Sequence, residues 1–511
     1  MRYKNIYHYI IVLIFYLIIS FFLANYTGLD RHWSSRYDHE FTLIYNALLF
    51  NNGITIEYVQ HPGYFTILNL SLFFKILSFL DFIQVDKLSL IKSENFNQSF
   101  QILVFYARIY SALCVAIFCT IVFFIFYKFS NKKIYSFILS LMLFSLPGTI
   151  YHLTVFRTEL MAMFFLALSF VSLKIFFQKE NKYRYLSLIC FFTFMIFGLI
   201  NKMQIFFFLP LFLIPLYFSN NFVLKFDLKN FKFLENKFLP FILIFVVILY
   251  LYNSNNTLHP FPILSSLAIL SNFFLLNLFF FFCIKDKINN KKIYLIVINI
   301  TFIIVFFFVK NILQIHPSTS ELIFINLTRI MHMAQYIPDA PQINDTFIFL
   351  SEIIYRLFVN IYFVIKNYLF KINIYNILIL SNLLILFIFR KKISSRDVFF
   401  SLSCICVSLL IILINSFRSN HGLLPQYNIF SDLFLILSFI VFAKFLKDIY
   451  LVTLMFITLW VISEPSLNVI LQTKSNKNNI KVICSTSYLS DWHKKLEPSY
   501  YKNFCNKYNI K

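Results

Sequence analysis

The sequence predicts an all-α polytopic membrane protein, and three observations carry that prediction. Hydrophobic residues make up 59% of the 511 residues, while charged residues make up only 13%, against roughly a quarter in an ordinary soluble protein. Phenylalanine alone supplies 71 residues. The apolar residues occur in runs of about 20, the length that a helix needs to cross the hydrocarbon core. This composition excludes a water-soluble globule, a disordered chain and a disulfide scaffold.

About 13 apolar runs are long enough to be transmembrane helices. The first run, residues 6–26, has only a weak basic start and no small-residue cleavage site, so it predicts a retained helix rather than a signal peptide. The remaining predicted spans are 103–127, 134–151, 158–178, 185–200, 203–219, 238–252, 262–284, 293–314, 373–389, 398–416, 428–446 and 449–464.

The net charge of +23 lies largely in short basic clusters between these runs. Such clusters stay in the cytoplasm, so they predict a cytoplasmic N-terminus and give no reason to expect a nucleic-acid partner. Segment 350–370 is apolar enough to span, but counting it as a span would move the cluster that begins at Arg390 outside. We therefore expect 350–370 to be an interfacial helix on the outer surface. The chain then divides into a transmembrane domain, 1–464, and a short outer tail, 465–511.

The residue types that carry chemistry concentrate on the predicted outer side. The large outer pieces are the first loop, 27–102, the long loop, 315–372, and the tail. All six glycines lie in or beside outer segments, and so do nine of the ten histidines. Two tail cysteines, Cys484 and Cys505, lie in a compartment that permits a disulfide, and the sequence leaves their pairing open. We expect any reaction to take place on the outer face.

The first outer loop carries an acidic pair, Asp38 and Glu40, shortly after the first span. Residues 39–50 can form a short amphipathic interfacial helix, and carboxylates are favoured at its N-terminus. The alternative is a general base or metal-binding carboxylate at the membrane surface. Further along, His61 and the proline after it either make a simple turn before an apolar helix at 64–80 or add a titratable group near the acids.

Four charged residues lie at or near the outer ends of later spans. Arg108, inside an apolar run, predicts either a buried partner or ligand, or snorkelling to the surface. Arg157 and Glu159 either bridge each other or help to hold a substrate. Lys202 departs from the positive-inside pattern, which indicates a phosphate partner or contact with lipid headgroups. The last outer loop adds Arg418, His421 and Tyr427.

These elements, taken in order, resemble the GT-C membrane glycosyltransferases, in particular the protein O-mannosyltransferases and the aminoarabinose transferases. The resemblance covers most of residues 5–447 and is diffuse, since its weight lies in the order and common outer placement of short motifs. One departure is His39, which separates two acids that are often adjacent in relatives. The matching elements are Asp38/Glu40, Ala47, Gly53, His61-Pro62, Ala107-Arg108, Arg157-Thr158-Glu159, Lys202, and Leu423-Leu424-Pro425 with Tyr427.

The resemblance implies a GT-C-type fold in a bacterial inner membrane, with the active site on the periplasmic side. It implies transfer of a sugar, with inversion, from a polyprenyl-phosphate carrier to a lipid, glycan or protein acceptor of the cell envelope. Asp38 or Glu40 would be the base. Donor or acceptor would be held by the other named residues, which are His61, Arg108, Arg157, Glu159, Lys202, Arg418, His421 and Tyr427. A divalent cation, if one is used, would bind Asp38, Glu40 and Glu159.

Two other classes remain open from the sequence. A flippase or transporter of a lipid-linked saccharide would use the same cationic cavity without a base, although no internal repeat is visible. An O-antigen polymerase or ligase would place key arginine and histidine residues in one large late loop, which 315–372 fits only in part. The sequence contains no P-loop, Rossmann fingerprint or zinc signature, so the energy for a reaction would arrive with the substrate.

Overall fold

A computed structural model of the protein describes residues 2–36, 40–54, 63–176, 183–202, 373–416 and 425–444. It also describes most of 293–304 and 351–370 and short pieces within 211–215 and 453–481. The described residues form helices, turns and loops, without a β-strand. The α-helices are α1 Arg2–Thr27, α2 Thr42–Asn51, α3 Tyr64–Phe79, α4 Phe96–Ser130, α5 Lys133–Ser145, α6 Pro147–Thr154, α7 Thr158–Phe176, α8 Arg184–Asn201, α9 Ile374–Ile388, α10 Ser395–Ser416 and α11 Pro425–Leu437.

The described helices are those of an all-α membrane protein. Four of them, within α1, α4, α7 and α10, are long and apolar enough to cross a membrane. A fifth candidate is the bent pair of α5 and α6. Helices α3, α8, α9 and α11 are apolar but shorter. The predicted total of about 13 spans, their orientation and the outer position of 350–370 stay predictions.

The predicted span at 134–151 is a bent pair of helices rather than one continuous helix. Helix α5 ends at Ser145, and α6 leaves at an angle of 69°. Pro147 is the cause, since the residue before a proline avoids helical backbone, and Leu146 is extended with ψ 148°. Gly148 lies at the bend, where a β-carbon would come within 2.7 Å of the backbone nitrogen of Ile429. The bend therefore brings α6 into close contact with α11.

The helix predicted at 39–50 is present, but it is buried rather than amphipathic. The structure has a helix there, α2, but nine of its residues from Thr42 to Asn51 are buried. It packs with α3, Trp33 and the start of α4 in an apolar cluster separate from the main core of the bundle. The described part of the first loop therefore packs against the start of α4, and its position relative to the membrane surface stays a prediction.

Polar side chains connect helices across the apolar core. The Tyr16 hydroxyl of α1 lies 2.6 Å from the Ser140 hydroxyl of α5. Asn382 of α9 donates to Ser438 and accepts from Ser401 of α10, at 2.8 and 2.9 Å. In a bilayer the hydrophobic effect does not drive helices together, because lipid tails are as apolar as the helix surfaces. Hydrogen bonds between helices therefore help to hold the bundle together.

Contacts from the tail show which helix ends lie together. The backbone N–H of Asn479 donates to Ser34 in the first loop at 3.0 Å. The Ser466 hydroxyl donates to the carbonyl of Ser145 at the end of α5. Lys474 lies 4.6 Å from the ring centroid of Tyr26 at the end of α1. The described parts of the first loop and the tail therefore occupy the same end of the bundle.

Candidate functional site

The structure describes six of the ten sequence-predicted site residues and brings them into two neighbouring groups. Glu40 lies with Arg108, while Arg157, Glu159 and Lys202 lie with Tyr427. The other four predicted residues lie outside the described part of the chain. They are Asp38, His61, Arg418 and His421.

Glu40 and Arg108 form a buried two-pronged ion pair. The Nη2 and Nε atoms of Arg108 donate to the two carboxylate oxygens of Glu40 at 2.7 and 3.1 Å. The side chains are 1% and 0% exposed. Bidentate arginine–carboxylate pairs are among the strongest hydrogen-bonded pairs in proteins. Of the sequence alternatives for Arg108, the structure therefore selects a buried partner over snorkelling.

The remaining donors of Arg108 hold the first loop. Its Nη1 atom donates to the carbonyls of Leu29 and Arg31 at 2.9 and 2.7 Å. On the acid side, the backbone N–H of Phe156 donates to Glu40 at 3.3 Å. Both members of the pair are thus engaged by protein groups. This argues against Glu40 as the base and against Arg108 as a direct substrate ligand, and it gives both residues a structural role.

The second group, which we call the cationic cluster, consists of Arg157, Glu159, Lys202 and Tyr427. Arg157 donates to both carboxylate oxygens of Glu159 at 3.0 Å each. The ammonium of Lys202 lies 2.8 Å from one of the same oxygens. Arg157 and Glu159 bridge each other, as one sequence alternative predicted. Two cations therefore share one carboxylate.

Tyr427 joins the cationic cluster from a distant part of the chain. Its ring centroid lies 5.5 Å from the Lys202 ammonium and 5.9 Å from the Arg157 guanidinium. A cation within about 6 Å of an aromatic face is attracted by the ring. Tyr427 lies in the first turn of α11, and its side chain is buried.

Burial and charge act in opposite directions on Arg157. Burial alone would lower the pKa of its guanidinium, whereas the adjacent Glu159 carboxylate raises it. The charge effect is larger, and the pKa lies above its ordinary value. Arg157 is therefore a permanent cation in this cluster. In the first loop, burial lowers the pKa of Arg31 to about 10, and Arg31 also stays charged near neutral pH.

Two contacts that sequence reasoning missed position the cationic cluster. Asn201, next to Lys202, accepts hydrogen bonds from the backbone and the hydroxyl of Thr66 at 3.0 and 3.1 Å. A β-carbon on Gly63 would lie 2.4 Å from the methyl group of Thr158. The start of α3 thus touches both the end of α8 and the start of α7. No sequence signal reveals a contact between residues 135 positions apart.

Neither described carboxylate of the predicted cation site is available to a metal. Glu40 is bound by Arg108, and Glu159 is bound by Arg157 and Lys202. Among the described residues, no group of three or more histidine, cysteine, aspartate or glutamate side chains could hold a metal ion. The third proposed ligand, Asp38, lies outside those residues.

A third acidic residue, Asp432, is fully buried one and a half turns below Tyr427. Neither of its carboxylate oxygens has a hydrogen bond of normal geometry in the described structure, although Tyr375 lies close enough to interact with it. A β-carbon on Gly148 would come within 2.5 Å of one of these oxygens. This tight packing leaves no room for a ligand beside Gly148.

A scan against models of protein families finds no match to this chain, and a search of curated proteins finds no similar sequence.

Proposed function

We propose that the protein is a membrane glycosyltransferase that moves a sugar from a polyprenyl-phosphate carrier to an acceptor on the outer face of the membrane. The observation that carries the proposal is the cationic cluster. Four residues selected from the sequence as substrate ligands come from three distant chain segments and meet in one buried group. Two neighbouring cations suit a phosphate, the group that links such a sugar to its lipid.

The reaction needs a base and a stabilised leaving group. The acceptor hydroxyl or amine attacks the anomeric carbon and loses its proton to the base, while the bond from that carbon to the phosphate oxygen breaks. Polyprenyl phosphate leaves with the negative charge. Lys202 and Arg157 would stabilise that charge, and such preorganised electrostatic help is usually the largest contribution to catalysis. Because Glu40 is held by Arg108, we assign the base to Asp38.

Tyr427 and Glu159 would act as positioning groups in this proposal. Glu159 holds the two cations a fixed distance apart through three short contacts. The ring of Tyr427 lies beside both cations. Arg418, His421 and His61 remain predicted contacts to the sugar or phosphate.

Release of polyprenyl phosphate from a radiolabelled polyprenyl-phosphate sugar by the purified protein tests the proposal, with membrane extract as the acceptor pool. We expect Asp38→Asn to lower the release rate by about 10²- to 10⁴-fold, the usual contribution of a general base. Asp30→Asn is the matched control, since Asp30 is an exposed carboxylate in the same loop. Donor binding without release, unaffected by Asp38→Asn, would instead indicate a carrier of lipid-linked saccharides.

A further inference from the structure

Two adjacent residues of the C-terminal tail pack into the first outer loop. The backbone N–H of Asn479 donates to the hydroxyl of Ser34 at 3.0 Å, and the side-chain amide of Asn479 donates to the carbonyl of Ser35 at 3.3 Å. The next residue, Ile480, is 1% exposed and belongs to the same apolar cluster as Trp33. The tail is therefore joined to the loop by hydrogen bonds and by apolar packing.

The tail is also fixed to the helix bundle before it reaches the loop. The hydroxyl of Ser466 donates to the carbonyl of Ser145 at the end of α5. The ammonium of Lys474 lies 4.6 Å from the ring centroid of Tyr26 at the end of α1. Because the tail contacts the ends of two helices and then the loop, it can hold the loop in a fixed position relative to the bundle.

Helix α4 binds the neighbouring backbone of the same loop. The side-chain amide of Gln101 donates to the carbonyls of Asp30 and Arg31 at 3.1 and 3.0 Å. The amide oxygen of Gln101 accepts from the backbone N–H of Trp33 at 2.9 Å. The bond from the tail to the carbonyl of Ser35 lies two residues further along the loop. The tail therefore extends the support of the loop backbone toward the acidic pair.

The contact with the tail lies just before the predicted base in the sequence. Ser35 precedes Asp38 by three residues, and Glu40 follows Asp38 by two. Arg108 fixes Glu40 through the buried ion pair. The chain is thus held by the tail before Asp38 and by Arg108 after it. A general base must stay within hydrogen-bond reach of the proton that it removes, so the supports on both sides bear on catalysis.

We propose that the C-terminal tail positions the first outer loop for catalysis, with Asn479 and Ile480 as positioning residues. Ile480 anchors the tail in the apolar core of the loop, and Asn479 fixes the backbone where the chain leaves Ser35. This inference rests on the proposed function, because it takes Asp38 as the base. It gives the tail a role in the rate of transfer rather than in the binding of the donor.

Hydrogen–deuterium exchange of the full-length protein in detergent tests the contact without an assay of activity. Asn479→Leu keeps the size of the side chain and removes the amide donor. It should speed exchange of the backbone amides of residues 34–40 by about 2- to 10-fold, the range for loss of one hydrogen bond. Lys481→Leu is the matched control, since Lys481 is an exposed tail residue. Equal exchange in Asn479→Leu and the parent would overturn the proposal.

The kinetics of polyprenyl phosphate release distinguish positioning from a general loss of stability. Asn479→Leu should lower kcat by about tenfold, less than the roughly 10²-fold that a 1 Å misplacement can cost. The KM for the lipid-linked donor should stay within about twofold of the parent, because an interaction used only in the transition state changes kcat. Ile480→Ala should show the same pattern, and the conservative Ile480→Val should restore kcat.

Three outcomes of the kinetic experiment would count against this inference. A raised KM with an unchanged kcat, or a loss of activity that only follows the folded fraction, would reduce the tail to a structural element and overturn the positioning role. If Asp38→Asn is inactive while Asn479→Leu keeps the parental kcat, this inference fails and the proposed function stands. If Asp38→Asn releases polyprenyl phosphate at the parental rate, the proposed function fails and this inference fails with it.

Discussion

The Glu40–Arg108 pair and the cationic cluster are both buried ion pairs at the same end of the bundle, and they differ in the number of cations that each carboxylate binds. In the first, one carboxylate meets one guanidinium, and the remaining donors of Arg108 bind loop carbonyls. In the second, two cations share Glu159. A balanced pair whose donors and acceptors are all used holds a loop in place. In the cationic cluster one carboxylate holds two cations, and under the proposed function these cations would face the phosphate of the donor.

The largest expected effect comes from breaking the balanced pair. Glu40→Gln leaves the Arg108 guanidinium buried without its carboxylate, and removing one partner of a buried pair typically destabilises a protein by about 3–5 kcal/mol. The midpoint of thermal unfolding, measured by loss of the monodisperse peak in size-exclusion chromatography, should fall strongly.

The double variant Glu40→Gln/Arg108→Gln provides the control for this prediction. It removes both charges, so its destabilisation should be smaller than the sum of the two single variants by about 2 kcal/mol, within the range for residues in contact. Strict additivity would mean that the two residues act independently, and the structural role of the pair would be wrong.

Substitution of Lys202 should have the next largest effect, and this effect should be on activity rather than on stability. Lys202→Met should lower the rate of polyprenyl phosphate release by about 100-fold, as for the loss of one donor to a developing negative charge. Stability should change less than in Glu40→Gln, because Glu159 keeps both hydrogen bonds from Arg157. Lys75→Met, an exposed lysine of α3, is the control. A drop in the unfolding temperature of Lys202→Met equal to that of Glu40→Gln would remove the distinction between the two groups.

The sequence predicts the long helices well because their evidence is local. Helices α7 and α10 begin and end within three residues of their predicted bounds, and α3 follows the predicted 64–80 closely. The structure differs from the prediction in the burial of α2 and in the bend between α5 and α6. Whether α2 is buried depends on Trp33 and α4, which pack against it. The apolar run 134–151 conceals the bend because Pro147 and Gly148 interrupt it only briefly.

In the candidate site, too, the sequence predicts local features but not tertiary contacts. Residue type and membrane depth were enough to select Arg108, Lys202 and Glu159. Residue type and membrane depth could not show that Arg108 would form an ion pair with Glu40, 68 residues away, rather than bind a substrate. They also could not show that Lys202 would share Glu159 with Arg157. Partner choice depends on how helices pack, and one sequence contains no direct signal of that.

Gly63 tests how tightly the start of α3 positions the cationic cluster. Gly63→Ala would place a methyl group 2.4 Å from the Thr158 methyl, and overpacking of this kind usually destabilises by about 1–3 kcal/mol. Because Thr158 lies between Arg157 and Glu159, activity should fall together with thermal stability. Thr158→Ser removes the opposing methyl group and should restore most of both losses. If it does not, the contact does not limit the position of the cluster.

Substitutions of Tyr427 should have the smallest effect, and comparing two of them distinguishes the role of the ring from that of its hydroxyl. Tyr427→Leu removes the aromatic face beside both cations, and cation–π contacts contribute about 0.5–2 kcal/mol. The Michaelis constant for the lipid-linked donor should therefore rise between about twofold and 30-fold. Tyr427→Phe keeps the face and should stay within about twofold of the parent. If Phe and Leu are equally impaired, the hydroxyl rather than the ring matters, and the cations are positioned by Glu159 alone.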